Sequence, residues 1–201
     1  MKTKNIIIAA SLLATIATQS CTKEYSSIEG IGTITTETLY LNDFSGIAME
    51  GADDVIISYG PEQKVEVTGH PNIISRIQTE VHNGTWDIEL ESGNYGQYEL
   101  TYHLTLPSIR KVSNTGSANV RITDPMETDQ MDIMILGSGN FNGFLLSAQD
   151  CQVDIVGSGN CEITAGSSLD VSIDGSGSVF YKGTPLIKDH ISGSGRVVNS
   201  N

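Results

Sequence analysis

From Ile47 onward, short runs with an apolar residue at every second position follow one another along the chain. Examples are Val65-Glu66-Val67, Trp86-Asp87-Ile88-Glu89-Leu90 and Leu100-Thr101-Tyr102-His103-Leu104-Thr105-Leu106. Side chains alternate across a strand, so this period of two predicts half-buried β-strands. Only Pro71-Asn72-Ile73-Ile74-Ser75-Arg76-Ile77 fits a helix, and for about one turn. Asn83-Gly84 between two such runs predicts a hairpin turn.

In the second half the alternation becomes an internal repeat. Gly137-Ser138-Gly139-Asn140, Gly157-Ser158-Gly159-Asn160, Gly175-Ser176-Gly177-Ser178 and Gly193-Ser194-Gly195-Arg196 share one frame, with first glycines 20, 18 and 18 residues apart. A degenerate copy, Gly116-Ser117-Ala118-Asn119, precedes them, and Gly51-Ala52-Asp53-Asp54-Val55 is a looser echo. Two residues before each first glycine stand Ile135, Ile155, Ile173 and Ile191; four before stand Ile133, Val153, Val171 and Asp189. Four after come Phe141, Cys161, Val179 and Val197.

One such unit cannot bury its apolar face alone. Stacked units bury a continuous column, with strands about 4.8 Å apart. The frame therefore predicts an all-β fold: a single-stranded, right-handed β-helix (β-solenoid) over residues 30–198, with less regular N-terminal coils or a capping sheet. The glycines are its structural corners (Gly116, Gly137, Gly139, Gly157, Gly159, Gly175, Gly177, Gly193, Gly195), free to adopt positive φ and to let coils approach. Ser138, Ser158, Ser176 and Ser194 are expected to stack as a hydroxyl ladder, and Asn119, Asn140 and Asn160 as an amide ladder. A flexible linker would not carry in-register isoleucines; repeated hairpins are the serious rival. Asp189 interrupts the inner column, which predicts a frayed or capping last coil.

The N-terminus changes the picture from fold to address. Lys2 and Lys4 precede a mostly apolar run, Ile6 to Ala17, too short to span a bilayer comfortably and suited to a secretory signal, residues 1–20. Thr18-Gln19-Ser20-Cys21 resembles a bacterial lipobox, which implies a diacylated Cys21 as the mature N-terminus, followed by a tether, residues 21–29. The expected location is the cell envelope: a membrane-anchored, exported lipoprotein of the outer membrane, periplasmic or surface-exposed. The chain has 24 acidic and 11 basic residues, a net charge of −13, which repels phosphate backbones and excludes nucleic acid as a partner.

Candidate chemistry is thin. Asp53-Asp54 is the only adjacent acidic pair, and neighbours on a strand face opposite ways. Asp132, Asp154 and Asp170 could align on an outer face, where glycan hydrolysis needs two carboxyls about 5–9 Å apart. The only local basic group, Arg110, Lys111 and Arg121, is distant in sequence. The four histidines are scattered, so no metal site, cofactor or catalytic residue is assigned. Cys151 and Cys161 fall in apolar columns and suit buried thiols, a disulfide remaining open. Tyr95 and Tyr98, in Gly93-Asn94-Tyr95-Gly96-Gln97-Tyr98, are the candidates for a surface contact, or else cover the end of the core.

Phe44-x-x-Ile47 with Gly51-x-x-Asp54-Val55, Pro71-Asn72-Ile73-Ile74, Asn83-Gly84-x-Trp86-x-Ile88 and the terminal Gly-Ser-Gly coils together resemble the auto-transporter adhesin, head GIN domain family, over about residues 30–198. The resemblance implies an exported β-helical protein, often a lipoprotein, and a non-enzymatic adhesion or binding role toward a glycan or protein. Two alternatives stand beside it: an enzyme acting on extracellular polysaccharide through the outer aspartates, and a scaffold that self-associates as a homo-oligomer through its terminal coil.

Overall fold

The computed structural model describes residues 27–201; the expected signal segment and Cys21 lie outside them. The first half contributes β1 (Thr35–Leu39), β2 (Gly46–Gly51), β3 (Asp54–Tyr59), β4 (Lys64–Gly69), a one-turn α1 (Pro71–Ile74), β5 (Val81–His82), β6 (Thr85–Ile88) and β7 (Leu100–Leu106). The second contributes β8 (Lys111–Gly116), β9 (Asn119–Ile122), β10 (Met126–Gly137), β11 (Asn140–Gly157), β12 (Asn160–Gly175), β13 (Ser178–Lys182), β14 (Leu186–Gly193) and β15 (Arg196–Asn199). All fifteen strands join one hydrogen-bonded sheet wound on itself.

The architecture is a β-solenoid of about four turns. Its coils pair in parallel with the glycines in register: Gly51, Gly116, Gly137, Gly157, Gly175 and Gly193 lie one above another. Parallel pairing rules out the hairpin alternative for these coils, because a hairpin must pair antiparallel. Past the corner, Val55, Val120, Phe141, Cys161, Val179 and Val197 form a second inner column. Ile135, Ile155 and Ile173 are at most 1% exposed, so the alternation seen in the sequence is the alternation between core and solvent.

Asparagine side chains of successive coils pair with one another along the stack. The Asn140 side-chain amide donates to Asn119 Oδ1 at 2.9 Å, that of Asn160 to Asn140 Oδ1 at 3.2 Å, and that of Asn119 to Asp54 Oδ1 at 3.0 Å. This is the expected amide ladder, extended one rung to Asp54. The serine corners are linked through the backbone instead: the Ser138, Ser158, Ser176 and Ser194 amides each donate to the glycine carbonyl of the preceding coil at 2.8–2.9 Å.

The two ends differ. At the N-terminal end β7 lies parallel to β3 but pairs antiparallel with β4, which pairs antiparallel with β1. There too β6 lies parallel to β2 and forms a hairpin with β5 around Asn83 and Gly84, at φ 51° and 73°. These strands are the capping sheet. At the C-terminal end β14 pairs only with β12 and β15 only with β13. Leu186 is 80% exposed there and Asp189 faces solvent, so the last coil closes nothing beneath it.

Candidate functional site: an acidic aromatic cleft at the capped end

The segment between β6 and β7 is held from outside by the chain's first described residues. The Ile28 amide donates to Asn94 O at 2.7 Å, Gly96 N to Ile28 O at 3.1 Å and Gly30 N to Gln97 O at 2.8 Å. Glu29 accepts from the Gln97 amide at 2.6 Å, and Asn72 clamps the strap by accepting from Ile31 N and donating to Glu29 O, both at 2.8 Å. Ile28 and Glu29, which fall within the stretch expected as a tether, therefore belong to the folded body. The reason is local: β6–β7 is a long connection whose backbone groups need partners, and the strap supplies them.

This strap fixes Tyr95 and Tyr98. Their rings meet edge to face with centroids 5.9 Å apart, and the Tyr95 hydroxyl donates to Glu91 O at 2.7 Å. Both are half-buried and pack on the core, so the two readings of these tyrosines merge: they cover the core end and also wall a cleft. Behind them Tyr102, 1% exposed, stands edge-on to Trp86, whose indole N–H donates to Gln78 O at 2.9 Å. The cleft measures about 310 Å³, and Glu50, Asp53, Glu89 and Glu91 are among the residues that line it. A second hollow of about 420 Å³, lined by Glu29, His70 and Glu99, shares the Tyr98 wall.

Asp53 is the electrostatic centre. Its carboxyl is pushed up to about 6, first by burial and then by the neighbouring Asp54 charge, while the Tyr98 hydroxyl hydrogen-bonded to it pulls the other way. A carboxyl whose folded pKa exceeds its unfolded value favours the fold when protonated. That contribution is complete below about pH 4 and is lost as pH rises through about 6. Asp53→Asn is therefore expected to stabilise the protein at pH 7.5 by on the order of 1 kcal/mol, allowing for partial exposure, and by much less at pH 4. Thermal unfolding of both proteins at the two pH values checks this; an equal gain at both would remove the assignment.

The outer aspartates occupy a different place. Stacking puts Lys111, Asp132, Gln152, Asp170 and Lys188 in one outward column and Asp154 in the next. Arg110, remote in sequence, lines the same 400 Å³ groove as Asp132, Asp150 and Asp170; Arg121, on β9, pairs on the other side of the corner. Three of these carboxylates already have partners: Lys188 Nζ lies 2.7 Å from Asp170, Ser168 Oγ donates to Asp150 at 2.6 Å, and Gln152 donates to Asp154 at 2.9 Å. Cys151 and Cys161 are buried free thiols. Burial, and then Asp132 and Asp150, push the Cys151 thiol up to about 12; burial likewise raises Cys161. Neither is a ready nucleophile. Among the described residues no three His, Cys, Asp or Glu side chains converge as a metal site.

The first corner glycines sit at positive φ, from 122° at Gly193 to 142° at Gly116. Gly139, Gly159, Gly177 and Gly195 do not; they abut the preceding coil's carbonyls or side chains. Sequence alone does not mark Glu50, Glu89 and Glu91 as cleft residues, because Glu50 on β2 meets Glu89 and Glu91, which follow β6, only once the chain has folded.

Parallel coils closed at one end by antiparallel strands define a capped β-solenoid. The chain belongs to the family described as "Putative auto-transporter adhesin, head GIN domain", whose model matches residues 43–143 and 127–185. Its fold is similar to that of a solved putative adhesin from Bacteroides fragilis, with a TM-score of 0.59, 20% identity, and coverage of 86% of this chain and 100% of that one. It is also similar to a solved putative adhesin from Parabacteroides merdae, with a TM-score of 0.50, 15% identity, and coverage of 87% and 99%. No curated protein matches the chain.

Proposed function

We propose that this protein is an exported lipoprotein, anchored through acyl chains on Cys21, that works without catalysis as an adhesion or binding module for a glycan or protein. The family assignment supports an exported or cell-surface role. The observation that carries the binding reading is the Tyr95–Tyr98 cleft: an aromatic surface, half open to solvent, on a rigid scaffold. Aromatic rings with few rotamers suit recognition because little side-chain entropy is lost on contact. The anchor adds geometry. From Cys21 to Ile28 the chain can span at most about 25 Å, so the cleft is presented near the membrane and the open coil end is free to lie farther away.

Two measurements test this reading. Cys21→Ser is expected to move the mature protein from the detergent phase to the aqueous phase of a phase partition. A glycan and protein array probed with residues 27–201 is expected to yield a ligand whose binding is lost in Tyr95→Ala/Tyr98→Ala. An array hit retained by that double variant would place binding elsewhere, and no hit at all would argue against an adhesion module.

A further inference from the structure

Resting on the binding reading above, we infer that the Tyr95–Tyr98 cleft takes an organic cation: the ammonium or guanidinium side chain of a basic polypeptide. Four carboxylates line it, Glu50, Asp53, Glu89 and Glu91, and no basic side chain does. Of the four, Glu91 has a partner in Arg76, a loose 3.5 Å pair on the exposed side. The walls are Tyr95, Tyr98 and Tyr102, and aromatic rings attract desolvated cations through their negative faces.

Shape separates this ligand from its rivals. The carboxylates ring a hollow of about 310 Å³ rather than meeting at a point, and among the described residues no set of acidic, His or Cys side chains converges to hold a metal ion. A bare divalent ion needs several oxygens at 2.0–2.6 Å. A basic side chain instead needs room for an apolar stem along a ring and a carboxylate at the tip. Asp53 supplies that tip: it is partly buried, beside Asp54, and held by the Tyr98 hydroxyl, with Tyr102 behind it. An entering cation offsets the cost of keeping this carboxylate ionised next to Asp54, and its affinity should fall between pH 7 and pH 5 as Asp53 takes up a proton.

The experiment is a titration of the mature chain, carrying Cys21→Ser for solubility, followed by NMR of the tyrosine rings. The probes are Nα-acetyl-lysine methylamide, butylguanidinium, the neutral norleucine analogue and calcium chloride. The two cations are expected to give saturable shifts at Tyr95 and Tyr98 with Kd on the order of 1 mM. Asp53→Asn should weaken them about tenfold, pH 5 should weaken them similarly, and Asp170→Asn on the coil face should leave them unchanged. Equal shifts from the neutral analogue, unaltered binding in Asp53→Asn, or equal losses in both variants would overturn the inference, the last by revealing diffuse attraction to an acidic surface. Calcium reproducing the shifts at lower concentration would overturn it in favour of a metal site. Array binding without a cation response defeats this inference alone; a cation response with an empty array defeats the adhesion reading alone.

Discussion

Gly157→Ala is expected to destabilise the protein by about 4 kcal/mol, enough to unfold a marginal domain. Gly157 has φ 128°, and a Cβ there would lie well within van der Waals contact distance of the Gly137 carbonyl oxygen in the preceding coil. That oxygen already accepts from the Ser158 amide at 2.9 Å, so it cannot retreat without breaking the corner. Two separable costs add here, and two other glycines isolate them. Gly51 has φ 108° with nothing within 4 Å of a Cβ, so Gly51→Ala carries backbone strain alone, about 1–3 kcal/mol. Gly159 lies outside the positive-φ region, but its Cβ would press on the Gly139 carbonyl and sit 2.7 Å from Ile135 Cγ2; Gly159→Ala carries the steric cost alone. Denaturant unfolding of the three variants should rank Gly157→Ala worst. If it proved no worse than Gly51→Ala, the coils would not be locked by backbone contact at their corners.

The same corners explain what the sequence reveals and what it hides. A coil that stacks on its own copy repeats its steric demands every 18 to 21 residues, so Gly137, Gly157 and Gly175, with Ile135, Ile155 and Ile173, stand out by period alone. Asn119, Asn140 and Asn160 are legible for the same reason. The capped end has no such period. β7 pairs with β3 across some 47 residues and with β4 in the opposite sense, a pairing that depends on surface left over once the first coil forms. The strap at Ile28 is further from view, because its hydrogen bonds to the Asn94 and Gln97 carbonyls are made by backbone that any residue could supply. The Tyr95–Tyr98 loop is legible as aromatic and glycine-flanked, but its acidic lining arises only when β2, β6 and the loop converge. Similarly, Arg110 meets Asp132 and Asp170 only because stacking turns a distance along the chain into neighbouring rungs.

Register arithmetic also exposes a polar residue in an apolar place. Counting back two from Gly116 puts Asn114 in the column of Ile135, Ile155 and Ile173, and the structure stacks it between Met49 and Ile135. It is 1% exposed; its amide nitrogen donates to Ala118 O at 2.7 Å, while Oδ1 has no partner among the described residues. An unpaired buried acceptor costs about 1–3 kcal/mol. The hydrogen bond that Asn114 makes is partly redundant, since Ala118 O also accepts from Asn140 N at 3.0 Å.

Space for isoleucine is already built at this level of the coil. The Cγ2 atoms of Ile135, Ile155 and Ile173 fill the gap left by the missing Cβ of Gly159, Gly177 and Gly195, and Gly139 offers Asn114 the same gap. Asn114→Ile is therefore expected to raise stability by about 2 kcal/mol, from an orphan oxygen removed and apolar surface gained, less one shared hydrogen bond. Asn114→Ala, which leaves a hole where the side chain stood, should not show that gain. Paired denaturant curves decide the matter. A loss of stability in Asn114→Ile would mean that the amide fixes the seating of the first corner on the second, a positioning role that outweighs its burial cost.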